Sequence, residues 1–248
     1  MNKKNNLLAL FLLTPIFFLI THAIAYLTHE YAHSFSAWAF GYKHNPFGLS
    51  YGNASLENIL LLEQVSENVD YDVFRVNHPW IAAFVAFAGF GVGNLFLYII
   101  SIVALFKKQI KSPYYIYFFL WLAVMNLGNF IDYVPGRTFA THGDIAGIIT
   151  FLNISPWWIM VIIGYPICYS VWHFYSRVLP YSYRKLEINR IPQSIILILI
   201  SITLFMFFGA VGAEGYGDLS RLIALLSIYM TPIVVIACWP WRRWMNSR

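Results

Sequence analysis

Six stretches of this chain stay apolar for longer than a soluble core requires. They fall near 7–40, 79–106, 113–131, 145–176, 193–213 and 219–239. A hydrocarbon layer about 30 Å thick takes ~20 helical residues to cross, so each stretch can span a bilayer as an α-helix. Lipid offers the backbone no hydrogen-bond partner, and a helix satisfies its own. The expected fold is therefore all-α: a polytopic membrane helix bundle of about six transmembrane helices, in a single domain over residues 1–248. Charge content agrees. Charged residues make up 11% of the chain, against about 25% in a soluble domain. Disorder, a disulfide scaffold and nucleic-acid binding are excluded on this ground, and the lipid bilayer is the expected surrounding. The first and fourth stretches exceed one crossing, so they tilt, protrude or break. Pro15 offers a break in the first, and Pro156 and Pro166 offer breaks in the fourth.

Basic residues set the direction. Lys3 and Lys4 precede the first span, Lys107, Lys108 and Lys111 follow the second, and Arg177, Arg184, Lys185 and Arg190 follow the fourth. Arg242, Arg243 and Arg248 follow the last. Positive residues favour the cytoplasmic side, which places both termini there. The acids Glu57, Glu63, Glu67, Asp70 and Asp72 gather in the loop 41–78, which is then external. Within it the pattern suggests a strand pair around 47–51 and a short amphipathic helix around 56–65. Lys3, Lys4 and Ala23-Ile24-Ala25 also resemble a signal peptide, but the apolar run continues past them to Phe40. Compactness and the lack of appended domains favour a bacterial inner membrane as the location of this multi-pass protein.

The segment Thr28-His29-Glu30-Tyr31-Ala32-His33 contains HExxH. Residues four apart lie on one helical face about one turn apart. Two imidazoles at that spacing can bind one zinc ion while the adjacent glutamate reaches the metal-bound water. Ionisable residues within a membrane span are costly and usually functional, and three occur here within five positions. Catalytic zinc takes three protein ligands and keeps one position open. The candidates for the third are His22, Asp132, His142, Asp144 and Glu214. His22 shares the face of His29 but lies roughly 10 Å along the axis, too far for one ion on a straight helix.

The stretch from Asn126 to Asp144 joins the third and fourth spans and is external, as is the exit of the first. Two polar clusters located independently thus meet on one side of the membrane. On these residues the chain resembles the site-2-protease family of intramembrane zinc metalloproteases. That family pairs HExxH on one transmembrane helix with an Asn/Pro-containing segment ending in an aspartate. His29, Glu30 and His33 match the first motif fully; Asn129, Pro135 and Asp144 match the second loosely, with Gly143-Asp144 in reversed order. The resemblance implies zinc held by His29, His33 and Asp144, with Asp132 and His142 as alternatives for the third ligand. It implies Glu30 as general base and acid, and Asn129 as a hydrogen-bond donor to substrate or oxyanion. The expected substrate is a membrane-embedded or membrane-proximal segment of a protein or peptide, which pairs with a strand edge in the loop 41–78. The same chemistry would serve a zinc-dependent hydrolase of a lipid amide or ester. A metal transporter is the non-enzymatic alternative, weakened by the lack of evident inverted repeats.

The remaining features read as structural. Gly89, Gly91 and Gly93 allow close helix approach. Arg137 is expected to pair with Asp132. Glu214 and Asp218 sit in an external turn, with Glu214 also a candidate for lining the site. Trp157, Trp158, Trp239, Trp241 and Trp244 suit interfacial anchoring. Cys168 and Cys238 read as small buried side chains without metal-type spacing.

Overall fold

The computed structural model describes residues 9–213 and 215–240. Lys3, Lys4, Glu214, Trp241, Arg242, Arg243, Trp244 and Arg248 lie outside the described residues. The described chain is helical: α1 (Thr14–Ala39), α2 (Leu56–Leu61), α3 (Pro79–Phe106), α4 (Pro113–Gly136), α5 (Asp144–Leu152), α6 (Pro156–Leu186), α7 (Arg190–Ala213) and α8 (Asp218–Ala237). Five of these, α3, α4, α6, α7 and α8, are long and apolar enough to cross a membrane.

The first predicted span is a different case. α1 has 26 residues, about 39 Å at 1.5 Å per residue, so its length suffices. Its apolarity is diluted by Thr21, His22, His29, Glu30, His33 and Ser34, all of them buried. Polar groups face the bundle, where they find partners that lipid cannot offer. A turn at Leu13 interrupts the helix just ahead of Pro15.

The fourth predicted span, 145–176, is corrected by the structure. α5 stops at Leu152 because Asn153 turns left-handed (φ 49°). α6 then begins afresh, with Ser155 accepting a hydrogen bond from Trp157 N and Pro156 in the first turn. This span runs on to Leu186, ten residues past the predicted end. Regular helix lapses at Ile163, and the helix widens again over Phe174–Val178. Pro166 sits three residues after Ile163 and cannot donate to the carbonyl of Ile162.

α4 is the most buried span and packs against α1, α3, α6 and α7. Tyr117, Leu120, Trp121, Val124, Met125 and Leu127 form its core contribution. Lipid tails are as apolar as leucine, so close packing rather than apolar burial holds such helices together. Small residues make it possible. A Cβ on Gly93 would lie 2.8 Å from Thr28 O and 3.0 Å from Ala32 Cβ of α1. A Cβ on Gly128 would strike the Phe208 ring of α7. α6 and α8 are the least buried spans. Trp157 and Trp158 stand exposed at the start of α6, as anchors should. Cys168 is exposed on α6 and Cys238 is partly exposed, against the expectation of burial.

The loop 41–78 lies along α1 instead of standing clear of the bundle. Ser34 Oγ donates to Pro46 O at 2.7 Å, Tyr26 Oη to Val65 O at 3.2 Å, and His22 Nε2 contacts Leu61 O at 2.9 Å. These contacts descend α1 for 17 residues below Ala39, about 25 Å. The expected strand pair does not form: among the described residues, one isolated bridge joins Ser50 and Ser66. Pro46, Gly48 and Gly52 interrupt any longer pairing. The predicted helix stops early, at Leu61, where Leu62 adopts φ 59°. Asn58 organises the loop by donating to Tyr51 O and Asn53 O at 2.7 Å each.

Candidate metal centre

His29 and His33 project from one face of α1, as the i, i+4 spacing requires. Their Nε2 atoms are 3.0 Å apart. Asp144 Oδ2 lies 3.2 Å from each. The aspartate comes from the first turn of α5, just after Gly143, whose φ of 88° suits glycine. His29, His33 and Asp144 thus form a group able to hold a metal ion, with both histidines buried.

Tautomers follow from the other ring nitrogens. His33 Nδ1 lies 2.6 Å from Val85 O, a group that can only accept. His29 Nδ1 lies 2.8 Å from Asn94 Oδ1. The Asn94 amide is oriented by its donors, which reach Ala25 O at 3.1 Å and Asn126 Oδ1 at 3.0 Å. Asn126 is fixed in turn by donating to Leu122 O at 2.7 Å. Both Nδ1 atoms therefore carry the proton, and both Nε2 atoms are left as acceptors close to the carboxylate oxygen. Three acceptor atoms facing one another require a cation or a proton among them.

The donor set and spacing suit a metal. A tetrahedral ion bound at 2.0–2.1 Å sets neighbouring ligand atoms about 3.3 Å apart, against 3.0–3.2 Å here. Space is kept on the α3 side by Gly89, since a Cβ there would strike both Nε2 atoms. Gly89 thus borders the cluster, whereas Gly93 serves helix packing as expected.

Glu30 is buried on α1 next to His33, with Glu67 and Asp144 as further ionisable neighbours. Glu67 arrives on the loop 41–78, where Lys43 Nζ holds the backbone through Gly48 O, Glu67 O and Asn68 O. Tyr133 is the other group that sequence reasoning passed over, with its hydroxyl 2.9 Å from His29 Nε2. Neither Glu67 nor Tyr133 carries a sequence signal. Asn94 does, as the lone amide of an otherwise apolar span, whereas Asn126 shares its span with Asn129.

The other candidates lie elsewhere. Asp132 is paired with Arg137, which donates from Nε at 2.8 Å and from Nη2 at 2.7 Å. His142 is exposed and stacks on Tyr216 with ring centroids 4.5 Å apart. His22 belongs to the loop contact at Leu61. Asn129 donates to Met125 O at 2.9 Å within its own helix, and no hydrogen bond joins it to the cluster. Asp218 is the exposed first residue of α8.

No protein-family model, curated protein or solved structure matches this chain.

Proposed function

We propose that the chain is an intramembrane zinc metalloprotease of the site-2-protease type, cleaving a membrane-embedded or membrane-proximal peptide segment. The observation that carries this reading is the meeting of His29 Nε2, His33 Nε2 and Asp144 Oδ2 beside buried Glu30, within a bundle of membrane-length helices. Two imidazoles and one carboxylate form a three-ligand set of the kind that leaves zinc a position for water or substrate. When bound there, zinc supplies Lewis acidity, polarising a carbonyl and making water acidic enough to attack at neutral pH.

The chain's own residues do the rest. Asn94 and Val85 O fix the tautomers that leave both Nε2 atoms free to ligate. Glu30 takes a proton from water as the water oxygen bonds to the scissile carbonyl carbon, and the carbonyl π pair moves onto its oxygen. When that pair returns, the C–N bond breaks and Glu30 passes its proton to the departing amine. A helical segment must unwind to enter, because its carbonyls are tied up in hydrogen bonds. No ready strand edge receives it among the described residues, so the loop 41–78 must shift or the substrate must arrive already extended.

The site lies toward the start of α3 and the end of α4, opposite the basic stretches at 107–111 and 177–190. The positive-inside rule then gives an external site and cytoplasmic termini, as in a bacterial inner-membrane protein. The test is Glu30→Gln in purified protein loaded with zinc and presented with a transmembrane-peptide library and a lipid extract. Retained metal and lost peptide cleavage are expected. Undiminished turnover in Glu30→Gln would overturn the mechanism, and Glu30-dependent release from lipids alone would replace protease with lipid hydrolase.

A further inference from the structure

We infer that the Tyr133 hydroxyl is the hydrogen-bond donor that meets the oxyanion formed on the attacked carbonyl, which makes Tyr133 a catalytic residue. The inference rests on the hydrolase reading above and deepens it. Tyr133 follows the regular part of α4, in the wide turn Asp132–Gly136. Its ring stacks on His29 with centroids 4.9 Å apart and planes 22° apart, and on Phe90 at 5.4 Å and 12°. The Arg137 guanidinium lies 5.0 Å from its centroid. These contacts fix the ring and aim a buried hydroxyl at His29 Nε2, 2.9 Å away.

The direction of that hydrogen bond is settled by Asn94. His29 carries its proton on Nδ1, so Nε2 can only accept and Tyr133 donates. This is the hydroxyl's one hydrogen bond among the described residues. The lone pair it uses is the one His29 needs to ligate a cation. Once His29 ligates, Tyr133 loses its acceptor, and a buried donor without an acceptor is unfavourable. The hydroxyl is then free to donate to whatever sits beside His29. A carbonyl oxygen gains negative charge on attack and becomes a much better acceptor than it was before, so the bond strengthens in the transition state. Tyr133 keeps its proton throughout, and the proton of the attacking water goes to Glu30.

The test compares wild type with Tyr133→Phe, each purified full length and loaded with cobalt(II). Acetohydroxamate, whose anionic oxygen stands in for the oxyanion, is titrated against the visible spectrum. Both proteins should take up cobalt equally. Hydroxamate should bind about 10- to 100-fold more weakly to the variant, as for a lost hydrogen bond to a charged group. Peptide cleavage by the zinc forms should show kcat lowered by about 10²- to 10³-fold, the usual effect of removing one oxyanion donor, with KM little changed. Equal hydroxamate affinity in the two proteins overturns the inference and leaves the hydrolase reading standing. Absence of both hydroxamate binding and cleavage in wild type overturns both. Loss of cobalt uptake in Tyr133→Phe makes the residue a ligand and also overturns the inference. If the variant does not accumulate, 3-fluorotyrosine at position 133 keeps the ring and makes a stronger donor. Tighter hydroxamate binding is then expected, and unchanged affinity counts against the inference.

Discussion

Asn94 Oδ1 sits 2.8 Å from His29 Nδ1, and this one contact decides which nitrogen of His29 faces Asp144. The amide is itself held from two sides, by Ala25 O and Asn126 Oδ1. A histidine ligand is oriented by whatever its second nitrogen donates to, and loss of that partner typically costs ~10- to 100-fold in metal affinity. Asn94→Leu should therefore weaken metal binding by about that factor while the protein still inserts and folds. Competition with a chromogenic chelator measures it. Unchanged affinity would mean that α1 alone orients the ring.

Gly89 tests the space beside the cluster. A Cβ at this position would strike both Nε2 atoms. Alanine favours helix over glycine by about 1 kcal/mol, so Gly89→Ala should not unfold α3, yet it should empty the site. The expected result is a folded protein with metal content near zero, read by elemental analysis beside a thermal melt. Full metal content in Gly89→Ala would show that the open side lies elsewhere.

Asp132 and Asp144 should respond in opposite ways. Asp132 is buried and paired with Arg137. Removing one partner of a buried pair strands the other charge and costs roughly 3–5 kcal/mol; with Arg137 partly solvent-exposed, the lower end applies. Asp132→Ala should lower the melting temperature markedly and keep its metal below that temperature. Asp144→Ala should lose metal with a smaller change in melting. A reversed pattern would make Asp132 the ligand.

Much of the fold was legible because membrane helices announce themselves by length and apolarity, as α3, α7 and α8 show to within a few residues. The break between α5 and α6 was less visible. It falls where Pro156 was expected to offer one, but that Asn153 enters the left-handed region and ends α5 three residues earlier was not visible. The course of the loop 41–78 along α1 could not be read at all, since it is made by backbone carbonyls at Pro46, Leu61 and Val65 that any sequence would supply.

At the site, His29, Glu30 and His33 were legible because helical spacing alone puts them together. Topology brought two polar clusters to one side but left Asp132, His142 and Asp144 all open as the third ligand, and only the family resemblance favoured Asp144. Tyr133, Gly89 and Glu67 reach the cluster by tertiary packing, and residue type gives no sign of that. Asn94, the lone amide of its apolar span, was available as a clue and carried no expectation, and Asn126 was read only as the start of the stretch that ends at Asp144.

Metal stoichiometry of the purified protein tests the central claim most directly, with wild type measured beside His29→Ala and Asp144→Ala. The account predicts one zinc ion per wild-type chain and near-complete loss in both variants, each still folded and inserted. Wild-type protein that takes up no metal, or Asp144→Ala protein that binds it as tightly as wild type, would contradict it.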